Sequence, residues 1–350
     1  MAIVINGSGT VTGLSVGGLP DGTVDAGTLA TNSVDSAELV DGAVDDSHMA
    51  SISGRKNILI NGDYRISQRG DYTSATSVTN GAYLLDRAKN YLVGVTGTAQ
   101  QLTNQVVNGT YENTWKYVAT SSASGRIGSY QLVEDWYKGE TLTLSAWVKS
   151  NNANARIVVY DGATNTSSST HTGGGAWEKL TVTATQSASA GQLYVYSAII
   201  SSSVGSVSIS SSDYIETAMF QLERGSTATD FEHRSYGEEL ALCQRYYWQD
   251  SAAKDRIGIL DGSTANYPSI FPVCPVPMRT LPTGTFLTIG TFYYNNSGSA
   301  SFTPSGGTVN VAQEGNEIRI RLNAVSNGVG SSHSMKTGQW NTQIKLDAEL

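Results

Sequence analysis

Charge is scarce in this chain. Charged side chains make up 15% of the 350 residues, against about 25% in ordinary globular domains. The 22 Lys and Arg are outnumbered by 30 Asp and Glu, for a net charge of −8, and the basic residues nowhere form a stripe. A nucleic-acid binder needs such a stripe, so no nucleic acid is expected as a partner. Cysteine is limited to Cys243 and Cys274, which lack CxxC spacing; they support neither a disulfide framework nor a zinc site and read as ordinary thiols. No apolar run approaches the roughly 18 residues of a membrane span. The opening MAIVINGSGTVTGLSVGG has no basic stretch and only Ile3 to Ile5 as an apolar run, so it reads as neither signal peptide nor membrane anchor. The four histidines, His48, His171, His233 and His333, show no HExxH or paired spacing. His233 lies just ahead of a helix start and is expected to dock that helix.

What is present is a repeat. Asp21 to Ala30, Thr31 to Val40 and Asp41 to Ala50 align as three ten-residue units, with Val24, Val34 and Val44 in register, as are Asp25, Asp35 and Asp45, and Leu29, Leu39 and Met49. A continuous helix would rotate equivalent residues by about 80° per unit, so a single long helix is excluded. Each unit buries too little to offset roughly 1–2 kcal/mol of backbone entropy per residue. The in-register aliphatics therefore point to a core supplied by other chains, with Val24, Asp25, Leu29, Val34, Asp35, Leu39, Val44, Asp45 and Met49 as oligomer or partner contacts. Residues 1–54 also hold seven carboxylates and no Lys or Arg, which leaves the remainder nearly neutral.

Beyond the repeats, Ile58 to Ile60 reads as a short strand running into an Asn61-Gly62 turn. From there to about Gly225 the pattern has period two. In Thr141 to Val148, Leu142, Leu144, Ala146 and Val148 share one face, while Trp147 lies on the other. Leu180, Val182 and Ala184 alternate with threonines, and Leu193, Val195 and Ile199 oppose Tyr194, Tyr196 and Ile200. Short alternating strands with Gly/Ser/Asn-rich turns and no intervening helix predict an all-β fold, an antiparallel two-sheet sandwich. One helix is expected from Tyr236 to about Trp248. Ser235 and Glu238 fit a capping box, and Tyr236, Leu240, Cys243 and Tyr247 form an apolar stripe. That stripe suits packing on its own sandwich or across a subunit interface. After Pro272, Pro275 and Pro277 a second β region begins, with strands at Phe286 to Tyr294 and Ile318 to Leu322, where Ile318, Ile320 and Leu322 face inward. The boundaries are thus an N-terminal attachment or stalk segment at 1–53 with repeats at 21–50, a sandwich at 54–225, linker plus helix at 226–248, and a smaller C-terminal β domain at 249–350.

The stretches GRKNILINGDYRISQRG (54–70) and QLERGSTATDFEHRSYGEELALCQRYYW (221–248) resemble a block pair of bacteriophage tail-fibre and virion structural proteins. Between them, the opening NILINGDY and the closing DYIETAMFQLERG resemble the first and last strands of carbohydrate-binding jelly-roll modules. The resemblance covers about two-thirds of the chain and stops near Trp248. It implies a jelly-roll body, a place on the phage particle surface after synthesis in the host cytoplasm, attachment to another virion protein through residues 1–53, and a homotrimer. Those jelly-roll modules hold a structural calcium; the residues left to hold one here are Asp63 and Glu216, and no metal is assigned. Arg65 stands where those modules usually carry an acidic residue.

Chemistry has little support in the sequence. Gly13-Leu14-Ser15-Val16-Gly17 matches GxSxG, but no helix pattern follows to make a nucleophile elbow. Asp86, Asp135, Asp161, Asp213 and Glu216 show no arrangement implying a glycosidase pair, and the body lacks the long repeat of a β-helix. No catalytic residue or cofactor is assigned, and a polysaccharide-degrading tailspike is the least supported reading. Binding fits better, because flat rings stack on sugar faces while amides and hydroxyls direct hydrogen bonds. Trp115, Trp136, Trp147, Trp177, Tyr194 and Tyr196 are the glycan candidates; for any one of them taken singly, cover by a loop or a neighbouring subunit is the favoured reading. The expectation is a non-enzymatic trimeric tail fibre presenting β domains to host-surface glycan. A capsid decoration or head-fibre protein is the alternative.

Overall fold

The computed structural model describes residues 56–249, 274–288 and 343–349, together with nine strand segments elsewhere. The chain forms two compact units, Met1–Gly54 and Arg55–Leu350. In the first, β1 (Val4–Ile5) pairs antiparallel with β2 (Val11–Thr12). The repeats, with Val24, Asp25, Leu29, Val34, Asp35, Leu39, Val44, Asp45 and Met49, lie outside the described residues.

The second unit begins with an antiparallel β-sandwich, as the alternation required. Its strands are β3 (Thr76–Ser77), β4 (Lys89–Val93), β5 (Gly97–Val107), β6 (Thr110–Ala119), β7 (Ala123–Leu132), β8 (Thr141–Ser150), β9 (Ala155–Tyr160), β10 (Asn165–Ser167), β11 (Trp177–Thr185), β12 (Tyr194–Ile199), β13 (Val207–Ile209) and β14 (Tyr214–Arg224). One sheet runs β11-β8-β14-β6-β5-β3. The other runs β10-β9-β12-β7-β13, with β4 also paired to β7. Leu142, Leu144, Ala146 and Val148 of β8 meet Ile157 and Val159 of β9, and Leu193, Val195 and Ile199 on and beside β12, in one buried core. These are the faces that period-two alternation assigns inward.

The opening segment is anchored by asparagines. Asn61 adopts φ 60, and its side chain brackets Ile66, accepting from the Ile66 N–H and donating to the Ile66 carbonyl, both at 2.9 Å. Gly62 follows because a Cβ there would lie 2.1 Å from the Phe220 carbonyl oxygen. The Asn-Gly pair thus closes a compact loop against β14, and Ile58 N–H donates to the Leu222 carbonyl at 2.8 Å.

The helix α1 spans Tyr236–Gln244, with the Ser235 side chain accepting from the Glu238 N–H as the capping box requires. Two expectations fail. The helix ends four residues early, because Tyr247–Gln249 leaves it to form β15. Its buried face centres on Glu239 and Cys243, while Tyr236 is 57% exposed. Glu239 is drawn inward by Asn61 of the sandwich and by Arg234 of the linker just before the helix, so α1 packs within its own chain. Cys243 is fully buried, which pushes its thiol well up.

Beyond α1, β15 pairs with β24 (Gln343–Asp347), which pairs with β18 (Thr283–Thr288). Trp248 and Leu346 form a small core there with Cys274, Met278 and Val311 against it. A second sheet joins β16 (Arg256–Leu260), β23 (Lys336–Trp340), β19 (Phe292–Asn295) and β20 (Ser299–Phe302). A third joins β17 (Ser269–Ile270), β22 (Glu317–Leu322) and β21 (Val309–Glu314). The strand expected over Phe286 to Tyr294 is divided between β18 and β19, and the inward facing of Ile318, Ile320 and Leu322 falls on side chains outside the described residues.

The end of β24 is fastened to the sandwich by charge. Glu349 pairs with both Arg69, at 3.0 Å, and Arg87, and Asp347 pairs with Arg69 at 3.1 Å. The Arg69 and Arg87 guanidiniums lie 3.7 Å from the ring centroids of Tyr247 and Tyr246.

Candidate functional site

The sequence candidates separate into four places. Trp115 is 1% exposed and packs edge-on against Tyr117 (ring centroids 5.8 Å apart) and Tyr72 (6.3 Å) inside the core, so it is unavailable to a ligand. The reason lies in β6 itself: Trp115, Tyr117 and Ala119 alternate inward while Lys116 and Val118 point away. Trp136 stands 44% exposed on the loop after β7, with the Lys138 ammonium 5.1 Å from its ring. Trp147 and Trp177 are half-buried on the outer face of the first sheet, Trp147 registered against Lys179 and Trp177 against Lys149. Tyr194 and Tyr196 occupy the outer face of the second sheet.

On that second sheet the structure brings together more than the sequence singled out. Tyr160 on β9, Tyr194 and Tyr196 on β12, Tyr130 on β7 and Tyr91 on β4 form one aromatic cluster on the side of the sheet away from the main core, with Tyr196 buried at 9% exposure and the other four half-buried around it. Tyr160 stacks on Tyr194 with centroids 5.8 Å apart and planes 25° apart. Tyr130 stacks on Tyr196 at 5.3 Å and 27°, and Tyr91 meets both at 5.7 and 5.3 Å. Register explains the cluster: Tyr194 opposes Tyr160, Tyr196 opposes Tyr130, and Tyr91 opposes Gly128. Four adjacent strands span about 14 Å, a width suited to a short chain of flat rings.

Gly128 shapes the middle of this face. It adopts φ +154, which aims its Cβ position at β12: a Cβ there would lie 2.3 Å from the Ser197 carbonyl oxygen and 2.5 Å from Ala198, so only glycine fits where β7 meets β12. Burial pushes the pKa of Tyr130 and Tyr196 up, so these two phenols keep their protons. Each can therefore both donate and accept. The Tyr160 hydroxyl donates to the Gly162 carbonyl and that of Tyr91 to the Val204 carbonyl. Those of Tyr130, Tyr194 and Tyr196 bond no protein group among the described residues.

Other expected sites resolve differently. Asp63 is ion-paired to Arg65 at 2.5 Å, and Glu216 accepts from the Thr114 hydroxyl at 2.7 Å, so the two calcium candidates are engaged separately. His233 is 54% exposed at its side chain and faces Glu112 at 3.7 Å; it does not dock the helix. Its neighbour Arg234 does. A cleft of about 230 Å³ lies between α1 and the 133–137 loop, away from the tyrosines, and Glu134 there already bonds the Tyr246 hydroxyl (2.7 Å) and Arg245 (3.4 Å).

The class defined by these features is an antiparallel β-sandwich with an aromatic outer face. No family model matches the chain, and no curated protein matches its sequence. Among solved structures, the chain is similar to the enzymatically active domain of tailspike protein 4 of bacteriophage CBA120, at 12% identity and a TM-score of 0.33 over 48% of this chain and 21% of that one. The chain thus spans about a fifth of the tailspike domain's length. It is also similar to a family 61 carbohydrate-binding module in complex with β-1,4-galactotriose, at 14% identity and a TM-score of 0.30 over 49% of this chain and all of that one. A tandem family 22 module from Paenibacillus barcinonensis matches at 12% identity and 0.28, over 81% of this chain and 98% of that one. These values concern the β-sandwich fold alone.

Proposed function

We propose that this chain is a non-enzymatic phage virion protein, a homotrimeric tail fibre that attaches through residues 1–53 and binds host-surface glycan through the tyrosine face of its sandwich. The observation that carries the binding is the continuous cluster of Tyr160, Tyr194, Tyr196, Tyr130 and Tyr91 across four strands. The outward edges and unpaired faces of rings in such a row pack on the apolar faces of sugars, and phenol hydroxyls supply the directional bonds. The unburiable acidic repeats and the resemblance of the 54–70 and 221–248 blocks support the virion role.

The test is binding of the purified protein to host cells and to a panel of oligosaccharides, alongside Tyr194→Ala and Tyr130→Ala. Loss of binding in both variants with unchanged thermal unfolding supports the reading. Binding that survives both variants, or no adsorption at all, removes the tyrosine face as a receptor site and leaves an assembly role on the capsid. A stable monomer in sedimentation would remove the trimer.

A further inference from the structure

Charge on the sandwich is segregated by sheet. The strands of the tyrosine-bearing sheet, β4, β7, β9, β10, β12 and β13, carry Lys89, Arg126 and Arg156 and neither Asp nor Glu. The strands of the other sheet mix Glu112, Glu178, Glu216 and Glu223 with Lys116, Lys149, Lys179 and Arg224. A nearly neutral body has no compositional reason for such a division.

Register places the cations around the rings. Arg156, Ala198, Gly128 and Tyr91 form one row across four strands, and Lys89 opposes Tyr130 in the next. Arg126 opposes Val93 and donates to the Tyr91 hydroxyl. Arg156 has no carboxylate partner among the described residues, and its buried Nε lacks any partner; burial alone lowers its pKa. Two of the acids bordering the sheet are committed elsewhere. Asp161, just past β9, accepts the N–H groups of Ala163, Thr164 and Ser187 at 2.7 to 2.9 Å, and Glu349 is bound by Arg69 and Arg87. A half-buried guanidinium without a counter-charge is an incomplete site, because an arriving carboxylate or phosphate supplies the charge-assisted bonds it lacks.

We propose that the tyrosine face selects an acidic saccharide, its rings stacked on the tyrosines and its carboxylate or phosphate groups held by Arg156 and Arg126. The inference rests on the glycan-binding reading above. The experiment is calorimetric titration of the full chain with an oligogalacturonate, its fully methyl-esterified counterpart and a polyol-phosphate oligomer, beside a neutral oligosaccharide panel. The ester keeps the rings and removes the charge, and the phosphate oligomer separates the two sources of negative charge. At least one acidic ligand is expected to bind about tenfold more tightly than uncharged ones at low salt, with most of that advantage screened at about 0.5 M NaCl. Arg156→Gln should remove the advantage and leave neutral ligands unchanged, whereas Arg126→Gln, which also loses the bond to the Tyr91 hydroxyl, should remove the advantage and weaken neutral binding as well. Equal binding of acidic and uncharged forms, or a preference indifferent to salt and to both variants, overturns the charge selection while the glycan reading stands. No binding by any saccharide overturns the glycan reading itself.

Discussion

The Glu239 carboxylate, in the first turn of α1, accepts the Asn61 backbone N–H at 2.6 Å and lies 3.3 Å from the Arg234 guanidinium, with both side chains no more than 5% exposed. Arg234 goes on to donate to the Leu59 carbonyl at 3.0 Å and to the Asn57 carbonyl. Asn57 in turn accepts the N–H groups of Leu59 and Leu222 and donates its own N–H to Glu232. The two sequence blocks at 54–70 and 221–248 are therefore one polar knot that ties the opening segment, the last sandwich strand and the helix together. Burial raises the pKa of Glu239, while the Asn61 N–H and Arg234 oppose that shift.

Removing one partner of this knot should be costly. Glu239→Ala leaves the buried Arg234 with only the more exposed Glu232, at 3.4 Å, as counter-charge, and loss of one member of a buried pair costs about 3–5 kcal/mol, of which Glu232 should offset part. Glu239→Gln, which keeps an acceptor for Asn61, should lose less. Urea unfolding followed by circular dichroism checks both; a midpoint for Glu239→Ala within error of the parent would mean that the knot contributes nothing to stability.

Gly128→Ala tests the close approach beneath the tyrosine face. The added methyl would meet the Ser197 carbonyl oxygen at 2.3 Å, and a backbone atom in the middle of a sheet cannot give way as a flexible side chain can. Replacement should part β7 from β12 and lower the apparent melting temperature by about 10 °C or more, or abolish soluble expression. Gly109→Ala, in a turn where nothing lies within 4 Å of the new methyl, is the control for generic loss of glycine and should show only the modest strain of its φ of +83. Equal effects of the two changes would show that the close approach is not what Gly128 serves.

What the sequence disclosed was what lies within a single strand. Alternation separated Leu193, Val195 and Ile199 from Tyr194 and Tyr196, and the structure keeps that division. The same rule applied to β6 would have placed Trp115 with Tyr117 and Ala119 on the inner face; aromatic character had outweighed periodicity there. Tyr91, Tyr130 and Tyr160 were missed because they join the face only through pairing of strands far apart in the chain. A local signal did exist, since Arg156, Val158 and Tyr160 alternate on one side of β9 and Arg126, Gly128 and Tyr130 on one side of β7. The helix was correctly capped at Ser235 but misjudged at its other end, because β15 gains its partner β24 almost a hundred residues later.

The contrast between Trp115 and Trp136 yields a stability prediction. Trp115→Ala should cost about 3–5 kcal/mol as a buried aromatic removed from a packed core. Trp136→Ala, at an exposed loop position, should stay within about 0.5 kcal/mol of the parent. Chemical unfolding of the two variants checks the difference, and a large loss for Trp136→Ala would mean that its loop is docked more firmly than its exposure implies.

Asp86 gives the sandwich a pH dependence of definite sign. Burial is the main cause of a pKa raised from 3.8 to about 7, opposed by the Gln68 N–H at 2.6 Å and by Arg69, and reinforced by Glu349. Because the folded-state value is raised, the contribution is fully present below the unfolded pKa near 4 and is lost as pH rises through about 7. Other carboxylates titrate in the opposite sense, so the readout is the difference between the parent and Asp86→Asn, in which this group cannot ionise. Relative to the parent, Asp86→Asn should gain on the order of 1–4 kcal/mol between pH 5 and pH 8, and the difference should level off above that. Urea midpoints for both proteins at half-unit intervals of pH measure it. A parent-to-variant difference that stays flat across this window would show that Asp86 is already ionised in the folded protein at pH 5, held so by Arg69 and the Gln68 amide against its burial.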